Sequence, residues 1–207
     1  MGEIIRPRKS DEPFIISDGE PVIEHEGRIG ALVSFPVLAD SGHGYVKKTF
    51  ERFVRPPGTR IIACRDKAIY LQRERRLESA NNYDWRLPGG KVLNTFKEYA
   101  PYIGKPIPFE LIIEAGKREL SEEAHLEAGT IEFFKKSSCG AIVEWDLYYL
   151  VALNPKEIAS AGAHDEAEEI SDTKWFSYEQ VEKMCLDGTI DEGRTVAVLM
   201  QFINSKK

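Results

Sequence analysis

Apolar residues cluster at 30–35 and at both ends of 45–54, with the turn-forming run Ala39-Asp40-Ser41-Gly42-His43-Gly44 between the two segments. Segments rich in aromatic and β-branched residues and bounded by turn residues are strand-like, so this region predicts a β appendage over residues 1–57. Pro56-Pro57-Gly58 then punctuates the chain. Two short apolar runs, 59–64 and 68–71, flank Arg65-Asp66-Lys67 and predict a hairpin that continues through Arg73, Arg75 and Arg76. Residues 84–87 lead into Leu87-Pro88-Gly89-Gly90-Lys91, a tight turn at which a ligand can approach bare backbone.

A helical period sets in near residue 110. Ile113, Gly116, Leu120 and Ala124 recur at helical spacing and predict a helix over 110–124 with one apolar face. Glu119, Glu122 and Glu123 stand at i, i+3 and i+4. They gather within about one turn, roughly a quarter-turn or more from the apolar stripe. One face can therefore pack on a sheet while the other looks into a cleft. Farther on, 145–153 is rich in aromatic and β-branched residues and predicts a strand. An acidic, small-residue loop follows over 161–169, then a short strand over 174–176. Ser177 reads as the N-cap of a helix over 178–185, stopped by Asp187-Gly188, and a last helix covers 194–203.

Composition narrows the setting. The 207 residues, with 42% hydrophobic and 30% charged side chains, fit a soluble protein of one domain, or of one domain with a small appendage. A formal net charge of -6 argues against non-specific nucleic-acid binding, which needs a basic surface. It leaves room for an anionic substrate, since metal ions supply positive charge locally. Cys64, Cys139 and Cys185 form no CxxC pair, which points to a reducing, cytoplasmic setting without structural zinc. No signal peptide is visible, and no apolar run approaches the roughly 20 residues of a membrane span.

An acidic helix face alone is ordinary solvated surface, because like-charge i,i+4 pairs cost only about 0.2–0.5 kcal/mol. The composite is rarer than its parts: Arg118-Glu119-Leu120, then Glu122-Glu123, with an upstream Leu-Pro-Gly-Gly turn. It resembles the Nudix box, whose pattern is G-x5-E-x7-R-E-U-x-E-E-x-G-U with U aliphatic. Two positions depart from that pattern. Nineteen residues separate Gly90 from Glu110 where the family has five, which implies an insertion near residues 93–108. Gly104 lies at the family spacing and offers a second alignment, but Trp85-Arg86-Leu87-Pro88 precedes Gly89-Gly90 as the family expects, so that pair is preferred as the turn. His125 replaces the glycine that ends the family's helix. Either it takes the left-handed conformation itself or the helix runs on to Gly129.

The resemblance implies a Nudix α/β/α sandwich with a mixed central sheet over residues 58–207, preceded by the N-terminal β appendage. It implies Mg²⁺, with Mn²⁺ as a substitute, held by Glu119, Glu122, Glu123 and the carbonyl of Gly89. Arg118 is expected to steady the loop through an ion pair with Glu110. Asp165-Glu166-Ala167-Glu168-Glu169-Ile170, Trp175-Phe176, Gln180-Val181 and the closing helix are similar to the end of ADP-ribose pyrophosphatases. In that subgroup a loop glutamate orients or deprotonates the attacking water, a role that falls to Glu166 or Glu168; read alone, this stretch is a solvated loop.

Phe53-Val54-Arg55-Pro56-Pro57-Gly58 and the hairpin end at Arg73 and Arg76 are similar to the entry of the same subgroup. There Arg73 and Arg76 would meet substrate phosphates, beside Gly90, and Phe50 or Phe53 would stack on a base. Their alternatives are solvated strand-end charges and core aromatics. The subgroup's appendage exchanges contacts across a homodimer, and the insertion would cap the site. The implied activity is Mg²⁺-dependent hydrolysis of a nucleoside diphosphate linked to X. ADP-ribose, giving AMP and ribose 5-phosphate, leads, and a nucleotide-sugar such as GDP-mannose follows. A nucleoside triphosphate pyrophosphohydrolase and a non-catalytic nucleotide-binding module are the other readings.

Overall fold

A computed structural model describes residues 3–76, 82–159 and 170–207. The first strands are β1 (Ile4–Arg6), β2 (Ile15–Ser17), β3 (Val22–Glu26), β4 (Ala31–Asp40), β5 (Tyr45–Val54), β6 (Gly58–Arg65), β7 (Ala68–Arg75) and β8 (Tyr83–Arg86). Helices α1 (Phe96–Tyr99) and α2 (Phe109–Ala124) follow, then β9 (Leu126–Glu127), β10 (Ile131–Ser137), β11 (Val143–Glu144), β12 (Leu147–Leu153) and β13 (Lys156–Glu157). The chain closes with β14 (Ile170–Ser177), α3 (Tyr178–Leu186) and α4 (Gly193–Asn204).

These elements form two compact units. Unit 1 is Met1–Pro56, Leu93–Pro106 and Ser138–Trp145, and unit 2 is Pro57–Val92, Ile107–Ser137 and Asp146–Lys207. Where the sequence suggests one cut at residue 57, the chain therefore returns twice to unit 1. In unit 1 the antiparallel pair β4–β5 runs in unbroken register from Ala31↔Val54 to Asp40↔Tyr45. β2 and β3 divide the outer edge of β4, and β1 and β11 divide that of β5. The inserted segment is fastened inside this unit. Thr95 caps α1 by accepting from Glu98 N, and Tyr99 Oη lies 3.2 Å from Glu144 Oε1.

Unit 2 is a mixed sheet ordered β10-β12-β6-β7-β14, with β8 on β7. The β12–β6 pair is parallel and its neighbours are antiparallel. Strand side chains alternate between faces. Ile61 and Ala63 of β6, Tyr70 of β7 and Ala152 of β12 point one way and bury Leu120, Ala124 and Leu126. The opposite face meets the closing helices: Tyr149 of β12 bonds Thr195 of α4, and Cys64 of β6 bonds Tyr178 of α3. Helix α2 on one side and α3 with α4 on the other make this unit an α/β/α sandwich.

Gly116 lets α2 approach the sheet, since a Cβ there would overlap the Leu150 side chain. The helix ends at His125, which takes φ 51° and ψ 39° and donates its N–H to Leu120 O. Left-handed backbone is uncommon outside glycine, but histidine visits it more often than most residues. α3 starts on a full capping box, Ser177 Oγ accepting from Gln180 N while Gln180 returns a bond to Ser177 N. No helix among the described residues is long and apolar enough to cross a membrane.

Candidate active site

The sheet of unit 2 opens where the glycine turn enters. β6 and β7 pair only at Cys64↔Ile69 and Arg65↔Ala68. Past that point β8 pairs with β7, and the turn lies along β6: Thr59 N donates to Gly90 O at 2.8 Å and Ile61 N to Pro88 O at 2.8 Å. Gly89 has φ 150°, and a Cβ on it would overlap the Thr59 carbonyl oxygen. Only glycine fits that backbone and that gap.

Helix α2 presents its glutamates to this turn. Gly89 N donates to Glu123 Oε2 at 2.9 Å. A Cβ on Gly90 would stand 2.5 Å from Glu119 Oε2, so the glutamate carboxylate lies over bare backbone. Gly104 belongs to unit 1, with φ 72°. Glu123 is buried, contrary to a uniformly cleft-facing triplet. The buried positions of α2 are Ile112, Ala115, Gly116, Leu120, Glu123 and Ala124, a stripe wide enough to include residue 123. Glu122 stays half exposed at 51%, and Glu119 is 12% exposed.

Arg118 does not take the expected partner. Its Nη2 lies 2.7 Å from Glu119 Oε1 and donates to Lys91 O at 2.7 Å, and its Nε is 3.9 Å from Glu122 Oε2. Glu110 lies eight residues earlier, about 12 Å along a helix axis, whereas Glu119 and Glu122 are adjacent and one turn on. Arg118 therefore holds the end of the glycine turn, as expected, but through Lys91 O and the acidic cluster.

Two further side chains reach the same place from β7. Gln72 and Glu74 are buried and share the α2-facing side of that strand with Tyr70. Gln72 Nε2 is 2.8 Å from Glu74 Oε1 and 2.9 Å from Glu123 Oε2. Arg76 Nη2 pairs with Glu74 Oε2. Arg73 falls on the other face of β7, with its guanidinium 4.6 Å from the Tyr83 ring centroid. The structure thus brings Arg76, and not Arg73, to the Glu74–Gln72–Glu123 chain. Phe50 belongs to unit 1, on β5, at 38% exposure. Glu166 and Glu168 lie outside the described residues.

The carbonyl side of the turn is also held. Arg60, buried in β6, donates through Nη1 to Gly89 O. Its charge reaches Glu192 and Tyr149 on the α4 face. Burial pushes the Tyr149 hydroxyl up to about 12. None of Gln72, Glu74 and Arg60 was singled out from sequence. The available signal was the alternation itself, because Gln72 and Glu74 share parity with buried Tyr70 and Arg60 sits inside an apolar run.

Among the described residues no three acidic, histidine or cysteine side chains converge as a metal seat. In this arrangement Arg118 supplies the positive charge beside Glu119 and Glu122. The donor set nevertheless suits a hard divalent cation, being carboxylate and carbonyl oxygen without thiolate or imidazole.

Comparison with known proteins agrees with this architecture. The NUDIX domain profile matches residues 54–198, and the chain belongs to the Nudix family. It is accordingly a Nudix pyrophosphohydrolase, acting on phosphoanhydride bonds. Nudix hydrolases generally use a divalent metal. A solved structure described as "Crystal structure of ADP compounds hydrolase" is similar over 96% of this chain and 95% of that one, with a TM-score of 0.62 and 20% identity. That likeness is one of fold. No curated protein matches the sequence.

Proposed function

We propose that the chain hydrolyses, with Mg²⁺, the pyrophosphate bond of a nucleoside diphosphate linked to another moiety, ADP-ribose first and a nucleotide-sugar second. The observation that carries this reading is the contact of the Gly89–Gly90 turn with Glu123 and Glu119, which places carboxylates beside backbone a phosphate can approach. The fold neighbour's description as an ADP compounds hydrolase supports an ADP-linked diphosphate.

Glu119, Glu122, Glu123 and the Gly89 carbonyl would hold Mg²⁺, or Mn²⁺ in its place. Bound there, the metal supplies positive charge to the phosphate oxygens and lowers the pKa of water. Gly90 leaves room for the diphosphate, and Arg76 meets a phosphate oxygen while keeping its pair with Glu74. Glu166, with Glu168 in reserve, takes a proton from the water that attacks one phosphorus. The bond from that phosphorus to the bridging oxygen breaks, and ADP-ribose gives AMP and ribose 5-phosphate. The appendage supports a homodimer, and three free cysteines support a cytoplasmic location.

The test is a panel of ADP-ribose, nucleotide-sugars, dinucleotides and triphosphates with Mg²⁺, with products identified by mass. AMP and ribose 5-phosphate from ADP-ribose are expected. Pyrophosphate release from triphosphates, with ADP-sugars untouched, would overturn the substrate class. Glu122→Gln, at a half-exposed position, is expected to fold normally and lose turnover. Near-normal rates in that variant would remove Glu122 from the metal site.

A further inference from the structure

Gln72 is fully buried, yet its side chain is only half satisfied. Both N–H donors of its amide face anionic oxygens, Glu74 Oε1 at 2.8 Å and Glu123 Oε2 at 2.9 Å. The reverse orientation would set an amide oxygen against two carboxylates, so the nitrogen belongs where it is. Gln72 Oε1 is left without a hydrogen-bond partner among the described residues. An unsatisfied buried acceptor is costly, and an apolar residue of the same size would avoid that cost. What the glutamine supplies is its pair of donors, taken up by the buried carboxylates of Glu74 and Glu123.

The bonds around it form a chain in which Arg76 and Gln72 donate and Glu74 and Glu123 accept. Arg76 Nη2 fixes Glu74 Oε2, Glu74 Oε1 fixes the Gln72 amide, and the amide reaches Glu123 Oε2. Gly89 N donates to that same oxygen at 2.9 Å. Two donors from two different elements therefore meet on one carboxylate oxygen and set the direction of the whole group. Glu74, itself buried, gains its counter-charge from Arg76, which is 25% exposed.

We infer that Gln72 is a positioning residue: it holds the Glu123 carboxylate in the orientation that serves the divalent cation, with Glu74 and Arg76 as its anchor. The inference rests on the proposed reading of Glu123 as a metal ligand. Outer partners that orient a ligand typically contribute about 10–100-fold to metal affinity.

Gln72→Met removes both donors and keeps the length of the side chain. The probe is Mn²⁺ alone, titrated into substrate-free protein and followed by the electron paramagnetic resonance of the free ion. Affinity is expected to fall about tenfold or more, measured at a temperature at which both proteins are folded. With saturating metal, kcat should fall while KM for the nucleotide substrate holds within about twofold, a split expected when ground-state binding is spared. Gln72→His, which keeps an N–H donor, should recover part of the Mn²⁺ affinity. Equal Mn²⁺ affinity in unaltered protein and Gln72→Met overturns this inference and leaves the site reading standing. No Mn²⁺ binding by the unaltered protein overturns both. If Gln72→Met does not fold, Glu74→Gln decides. Weakened Mn²⁺ binding in that variant supports the anchored clamp, and unchanged binding overturns it.

Discussion

Gly90 has room for a hydrogen and little more. A Cβ would come within 2.5 Å of Glu119 Oε2, so Gly90→Ala must push that carboxylate away from the turn. Misplacing a reacting group by about an ångström can cost roughly 100-fold, and kcat/KM for the preferred substrate is expected to drop by about that factor. Circular dichroism should show the fold retained, and a rate within about threefold of the parent would mean that Glu119 moves without consequence. Spacing made Glu119, Glu122 and Glu123 legible as helix neighbours, and the composite with Arg118 and the Leu-Pro-Gly-Gly turn, by its resemblance to the Nudix box, made them a site. Gln72 and Arg60 were not legible, because their partners lie on other elements, at Glu123, Gly89 and Glu192, and Glu74 joins the site only through Gln72. The Arg118–Glu110 expectation failed for the complementary reason: a motif records which residues recur, and Arg118 reaches the residues that helix geometry puts beside it.

At the scale of elements, long periodic segments could be read and short ones could not. The 16-residue α2 carries its own signal, an apolar stripe repeated over four turns. β1, β2 and β3 have three to five residues each and lie mostly exposed, so no alternation marks them. β10 mixes exposed and half-buried positions and breaks register between Phe133 and Lys135, which hides its period. The sequence allows α2 to end at His125 or at Gly129, and the structure gives His125 the left-handed turn. A side chain there costs about 1–2 kcal/mol relative to right-handed backbone. His125→Gly is therefore expected to gain about 1 kcal/mol, or roughly 2–4 °C in unfolding temperature for a chain of this size. A fall in melting temperature would show that contacts of the His125 ring outweigh its backbone strain. At the start of α3, Ser177→Ala should cost about 1 kcal/mol in urea titration, since it removes one half of the capping box.

At the scale of the molecule, the sequence could not show that Leu93–Pro106 and Ser138–Trp145 join Met1–Pro56, because such pairing is non-local. What unites the units is a common response to acid. Glu192 caps α4, accepting from Thr195 N at 3.1 Å, from Thr195 Oγ1 and from Arg194 Nε at 3.1 Å. Burial alone would raise its pKa, but Thr195, Arg194 and Arg60 together outweigh burial and hold it below the ordinary 4.5. In unit 1, hydrogen bonds from Arg6 and from the Lys9 backbone pull Glu12 down to about 2. A carboxylate depressed in the folded state takes up its proton more readily when unfolded, so stability rises with pH through that window. Both contributions are complete above about 4.5 and are lost as pH falls toward the folded values. Asp84 runs the other way: burial raises its pKa above 3.8 despite Arg86 and Asp191 N, so protonation there favours folding and offsets part of the loss. Glu192→Gln separates these terms. At neutral pH it should cost about 1–2 kcal/mol, the range for a lost charged cap. Urea titrations on the acid side of 4.5 should then show parent and variant converging, because the parent has become neutral at the same atom. A gap that stays constant with pH would mean that the cap depends on the shape of residue 192 and not on its charge.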